Sequence, residues 1–266
     1  MRLLRLLTAT CVSALAVTGA AWAIIGGQAD GSAHPYVGLV RDGHTICSGS
    51  LVSRTVFVTA AHCFADSHSI FGTSADGRPI VQVTFDPAGV TTDARLNLYG
   101  TVYNDPQFCG GCAGGLPGFA SHDLAVVRMS ARVPSSVVPR LASLPRVDQS
   151  QGLKVHAPID VVGYGVQMWS TGKGQPEIVA GGSRAWVGTE LANAGASIAD
   201  KLLKLASTSS SGGFCLGDSG GPVLDGGTDT ILGLNSFLPD SYCKGTTYAY
   251  RLDTPDALAF VNGFLR

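Results

Sequence analysis

Beyond its first two dozen residues, this chain carries only short apolar runs, and nearly all of them stop at Gly, Pro, Asp or Ser. Runs of about four to eight such residues between turn formers have the length of strands and are too short for ordinary helices. Tyr36–Val40, Ile46–Val52, Val56–Ala60, Ile80–Phe85 and Leu124–Met129 read this way, as do Ile159–Tyr164, Ala185–Leu191, Lys201–Ala206, Ile231–Phe237 and Thr246–Leu252. Ten such runs among 266 residues, with 35 Gly to turn between them, predict an all-β fold of two packed barrels or sandwiches. Pro134–Gly152, rich in Pro and Ser, is the expected connection between the two. A closing helix is predicted after Thr254, a capping residue, with Pro255 in its first turn and Leu258, Val261 and Leu265 on one face. A second helix is expected over Ala192–Leu203, and Ser207–Ser211 reads as a loop.

The first 23 residues differ in kind. Arg2 and Arg5 precede an apolar run from Leu6 to Val17, and Ala21-Trp22-Ala23 is a small-residue cleavage pattern, together the signature of a secretory signal peptide. A membrane anchor needs about 20 apolar residues, and this run is shorter and broken by Thr and Ser. Residues 1–23 are therefore expected to leave, giving a secreted chain in an extracellular or periplasmic compartment. Cys11 leaves with them. Cys47, Cys63, Cys109, Cys112, Cys215 and Cys243 remain, an even set that reads as three disulfides with 15 possible pairings. The formal net charge of -1 offers no basic field for nucleic acid or an anionic membrane.

Three segments carry chemistry. Thr59-Ala60-Ala61-His62-Cys63 puts a His at the end of an apolar strand, and His122-Asp123-Leu124-Ala125-Val126-Val127 puts an Asp at the start of another. Gly217-Asp218-Ser219-Gly220-Gly221-Pro222 puts a Ser in a Gly-rich turn. A Ser hydroxyl needs a base to act as a nucleophile at neutral pH. An imidazole can take its proton and return it to the leaving amine, and a carboxylate behind the imidazole fixes its tautomer. The glycines expose backbone N–H groups at Gly217 and Ser219 that would form an oxyanion hole. G-x-S-x-G also fits the nucleophile elbow of α/β-hydrolases, but that fold places its His after its Ser. No His follows Ser219 here; His34, His44, His68, His122 and His156 read as structural or solvated.

The three segments, in this order, resemble those of the trypsin/chymotrypsin family of serine proteases, and the similarity runs from Ile24 to the terminal helix. The resemblance implies two packed six-stranded antiparallel β-barrels with a cleft between them: a first barrel at about 24–140, a second at about 153–253 and a helix at about 255–265. It implies a triad of His62, Asp123 and Ser219, and the pairings Cys47–Cys63 and Cys215–Cys243. Cys109 and Cys112 then pair with each other; their spacing also fits half of a redox or zinc motif, but no second half is present.

Members of the family switch on when a new N-terminus inserts beside the Asp preceding the nucleophile. Ile24-Ile25-Gly26-Gly27 matches that start, so the expected pair is the Ile24 ammonium with Asp218. No Arg or Lys precedes Ile24; Ala23 does, so signal peptidase itself would create the active end, with cleavage after Ala20 as the alternative. The pocket residues implied are Gly213, Phe214, Ser236, Phe237, Leu238 and Thr246, with Thr247 the alternative to Thr246. Gly213 stands where a preference for Arg or Lys needs an Asp, and Leu238 and a Thr stand where glycines are usual. An elastase-like pocket that takes small uncharged residues is expected, on protein or peptide substrates. No Glu lies between Phe64 and Leu98, so no calcium loop is expected; nor is any other metal or cofactor. The chain is expected to act as a monomer, open to protein inhibitors. The reading from another class is a binding protein that has kept the fold and lost catalysis.

Overall fold

The computed structural model describes residues 24, 26–110, 121–169, 177–193, 201–207, 212–240, 243 and 245–266. The leader, Ile25, Cys112 and most of Ala192–Leu203 lie outside these, as does Ser207–Ser211 apart from Ser207. In chain order the strands are β1 (Gln28–Ala29), β2 (Val37–Arg41), β3 (Ile46–Ser53), β4 (Val56–Thr59), β5 (Ile80–Thr84), β6 (Asn97–Asn104) and β7 (Ala125–Met129). Then follow β8 (Pro158–Gly163), β9 (Val166–Trp169), β10 (Glu177–Gly181), β11 (Ala185–Glu190), β12 (Leu202–Ser207), β13 (Pro222–Asp225), β14 (Ile231–Phe237) and β15 (Gly245–Arg251). The helix α1 spans Pro255–Gly263.

Strands β2-β3-β4-β7-β6-β5 form a closed antiparallel barrel, sealed where Leu39 of β2 pairs with Thr84 of β5. Val40, Leu51, Phe57, Val81, Val83, Val102 and Val127 share one face by register, fill it and are buried. A barrel interior takes every second residue of each strand, which is why β-branched and aromatic residues dominate these runs. The second unit is a curled sheet in the order β1-β11-β8-β13-β14-β15-β12. The sequence implied a second closed barrel of six strands. The sheet has seven strands counting β1, and among the described residues β11 meets β12 through an isolated bridge, Leu191–Leu205, and the Thr189 hydroxyl on Ala206 O rather than a continuous ladder. β1 pairs with β11 at Ala185 and Trp186, the other end of β11 from that bridge.

The expected connection, Pro134–Gly152, is stitched to both units. Ala142 N donates to Leu51 O at 3.0 Å, and Ser143 bridges to Thr230. A buried cation also ties the units. Arg184, 2% exposed, donates to Asp30 Oδ2 at 2.7 Å, Gly31 O at 2.7 Å, Val37 O at 3.0 Å, Phe85 O at 3.1 Å and Tyr164 Oη at 3.2 Å. A guanidinium taken out of water is tolerable only when its donors find such partners.

In α1 the Thr254 hydroxyl accepts from Ala257 N at 3.4 Å, and Ala257, Leu258 and Val261 pack inward. The predicted third apolar contact fails: the helix stops at Gly263, and Leu265 beyond it is 38% exposed. The expected helix over Ala192–Leu203 does not reach its end either, because Leu202 and Leu203 belong to β12, paired with Tyr250 and Ala249. No described helix is long and apolar enough to cross a membrane.

Candidate active site

His62 sits on a single 3-10 turn, Ala61–Cys63, directly after β4. Asp123 ends the segment entering β7, which pairs with β4 from Val56 to Thr59. Strand pairing thus brings residues 61 positions apart into contact. The Asp123 carboxylate is fully buried and accepts twice from His62: from the ring Nδ1 at 2.7 Å and from the backbone N–H at 2.9 Å. A third donor, Ser236 Oγ at 2.5 Å, comes from β14 of the other unit. Burial opposes ionisation of Asp123, but the His62 ring and these hydrogen bonds hold its carboxyl below the usual range. Burial pulls the His62 imidazole down, and the adjacent Asp123 charge outweighs it and raises the net value. With Nδ1–H committed to the carboxylate, the basic lone pair lies on Nε2, facing the cleft.

Ser219 is carried on a tight loop between Cys215 and β13, and two pairs of bonds, to Ser48 and to Asn235, fix that loop. Ser48 N donates to Ser219 O at 2.8 Å, and Ser48 Oγ donates to Gly217 O at 3.0 Å. Gly220 N donates to Asn235 O at 2.8 Å, and Asn235 N returns a bond to Gly221 O at 2.9 Å. Gly220 has φ +76°, and a Cβ there would stand 2.2 Å from Thr59 Oγ1, so only glycine fits. The loop thereby meets the His62 turn: Cys63 Sγ lies 3.9 Å from His62 Nε2 and 4.0 Å from Ser219 O. Among the described residues no hydrogen bond joins Ser219 Oγ to Nε2. The N–H groups of Gly217 and Ser219 find no protein acceptor among the described residues, which leaves both donors available for an incoming oxygen.

Asp218, the next residue back, is fully buried. Its carboxylate accepts from Gly165 N at 2.7 Å and Cys215 N at 2.8 Å, yet burial pushes it up to about 7. Gly165 is obligatory beside it, since a Cβ there would lie 2.5 Å from the carboxyl carbon. Ile24 is also fully buried, in a core shared with Ile159, Phe214 and Leu232. Phe214 adjoins Cys215, whose N–H binds Asp218.

Gly213 and Phe214 are buried, Phe214 at 1% exposure. Leu238 packs on the core that holds Phe214, while Phe237 faces Tyr248 with ring centroids 6.3 Å apart. Thr246 and Thr247 alternate on β15. Thr247 is buried, on the face of Ala249, which shares the Phe214 core; Thr246 is half-buried on the other face. Cys47–Cys63 and Cys215–Cys243 are bonded, as the resemblance implied. Cys109 is also in a disulfide, and its expected partner, Cys112, lies outside the described residues.

His122, beside Asp123, has φ 50° and turns away from it, with Nδ1 3.7 Å from both Asp105 and Asp256. Sequence reasoning missed Ser48 and Asn235, which hold the nucleophile loop, and missed that Ser236, expected in the pocket, donates its hydroxyl to Asp123. Neither Ser48 nor Asn235 carries a local motif, and the bond from Ser236 to Asp123 joins residues 113 apart along the chain; only the fold reveals them.

Solved structures share this fold. A double mutant of human heparin binding protein (CAP37) superposes with a TM-score of 0.66 at 16% identity, covering 91% of this chain and 96% of that one. Heparin binding protein at atomic resolution gives 0.65 at 17% identity, with 91% and 96% covered. HL collagenase gives 0.62 at 16% identity, with 88% of this chain and 93% of that one covered. No curated protein sequence matches the chain. Residues 24–255 match the family described as Trypsin, and the chain therefore belongs to the trypsin family.

Proposed function

We propose that this chain is a secreted serine endopeptidase that hydrolyses peptide bonds through an acyl-enzyme on Ser219. The single observation that carries this reading is the buried Asp123 carboxylate, which grips the His62 ring at 2.7 Å and its backbone at 2.9 Å beside the Ser219 loop. In the proposed mechanism His62 Nε2 takes the Ser219 proton as Oγ attacks the scissile carbonyl. Asp123 stabilises the imidazolium, and the N–H groups of Gly217 and Ser219 bind the oxyanion. His62 then protonates the leaving amine, and a water activated by the same base releases the acyl group. Each oxyanion donor is worth about 3–4 kcal/mol of barrier.

The same reading assigns Ile24 as the mature N-terminus, made by cleavage after Ala23, with its ammonium on Asp218. A buried carboxyl with two peptide donors and no cation among the described residues supports this, because an ammonium would balance its charge. The pocket is read as narrow, floored by Gly213 and Phe214 and walled by Leu238 and Thr247, with small uncharged residues such as Ala or Val preferred. The edge at Ser236–Leu238 would pair with the substrate as an added strand. No cofactor, nucleic acid or membrane enters the proposal, and the chain acts as a monomer on peptides and proteins.

A binding-only role is the competing reading, since one similar structure is named a heparin binding protein, whereas another is named a collagenase. A panel of peptides differing before the scissile bond decides between them. Cleavage after Ala or Val that disappears in Ser219→Ala is the expected result. No cleavage of any peptide by a protein shown to begin at Ile24 refutes it.

A further inference from the structure

Three of the six histidines line one cavity of about 320 Å³ beside the candidate active site: His44, His62 and His68. Two of the three are already held as metal ligands usually are. His62 Nδ1 is bonded to the Asp123 carboxylate at 2.7 Å, and His68 Nδ1 lies 3.1 Å from the carbonyl oxygen of Asp66. A carbonyl can only accept, so the proton of His68 is on Nδ1 and its lone pair is on Nε2. An oxygen acceptor behind a ring N–H is the outer-shell arrangement that orients imidazoles toward zinc. His44 and Asp66 on the rim are exposed and free to turn inward. Asp42 is not available, because its carboxylate already accepts from His44 N, Thr45 N and Ser67 Oγ.

We propose that this cavity is an inhibitory site for a divalent transition ion of the zinc type, bound by His62 Nε2 with His44 and His68, and with Asp66 as an oxygen ligand. Imidazole nitrogens favour such ions over magnesium or calcium, which prefer oxygen. Among the described residues the ligand atoms already within 4.8 Å of one another are those of Cys47, His62 and Cys63, and both sulfurs are tied in the disulfide. Binding therefore draws His44 and His68 inward by side-chain rotation. The ion occupies the Nε2 lone pair that the proposed proton transfer needs, so binding and catalysis exclude each other; this consequence rests on the proteolytic reading above.

The test is calorimetric titration of the processed protein with ZnCl2, and with MgCl2 as control, for wild type and for His44→Ala, His68→Ala and the double variant. The expected result is saturable zinc binding that weakens by about tenfold or more in the double variant, with no magnesium binding. Absent zinc binding, or binding that the double variant keeps, overturns the proposal. In parallel, a fluorophosphonate probe is applied with and without zinc. Slower labelling of Ser219 with zinc in wild type and not in the double variant supports inhibition; labelling that zinc leaves unchanged overturns it. If no labelling occurs even without zinc, the proteolytic reading fails, and the titration alone still decides the metal site.

Discussion

Asp218 should make stability depend on how the chain begins. Its carboxyl is held at about 7, against an ordinary 3.8, because it is buried with two peptide donors and no cation among the described residues. The folded group binds its proton more tightly than the unfolded one. Its contribution to stability is thus complete below pH 3.8 and is lost as pH rises through about 7. The loss amounts to about 4 kcal/mol. An ammonium at Ile24 would pair with the ionised carboxylate and cancel that loss. Two forms carrying Ser219→Ala, one beginning at Ile24 and one retaining Ala21-Trp22-Ala23, should be melted at pH 5 and pH 8. For a domain of this size about 4 kcal/mol corresponds to roughly 10 °C. The form beginning at Ile24 should melt higher by that margin at pH 8, and the gap should shrink by more than half at pH 5. Asp218→Asn should raise the melting point of the extended form at pH 8. Equal melting points at pH 8, or a gap that ignores pH, would refute the reasoning.

Asp123→Asn should cut kcat by about 10⁴-fold on peptide substrates, since the amide favours the wrong imidazole tautomer. Ser236→Ala, which removes one of three donors to the same carboxylate, should cost about 1–3 kcal/mol in denaturant unfolding and leave measurable activity. Because the Asp123 charge raises the His62 imidazole, the rate should climb with pH through a value above 6.5, and a pH profile of kcat/KM placing that limb lower would contradict the assignment. Arg184→Ala should destabilise the fold by about 3–5 kcal/mol, measured by urea unfolding, because the buried Asp30 keeps only His34 as a partner and the oxygens of Gly31, Val37, Phe85 and Tyr164 lose a donor.

Ten strands were readable because each is a short run of β-branched or aromatic residues closed by a turn former, and all ten appear within a residue or so at either end. Strands β6 and β13 were not, since Asn97–Asn104 alternates polar residues and Pro222–Asp225 begins with a Pro inside the nucleophile motif. Nor was β1, whose two residues carry no pattern and owe their conformation to the edge of β11. Of the site, His62, Asp123 and Ser219 were legible because each lies in a motif of several residues. The second tier was not: Ser48 and Asn235 act through backbone and side-chain bonds to a loop that the fold brings to them from elsewhere along the chain. Thr246 and Thr247 could be separated only by register, since one position changes the face of β15.

The most direct measurement is peptide mapping by mass spectrometry after treating the processed protein with a sulfonyl fluoride. The account predicts one covalent adduct, on Ser219, formed quickly in wild type and suppressed in His62→Ala. An unmodified Ser219 in a folded protein that begins at Ile24, or an adduct formed equally fast without His62, would contradict it.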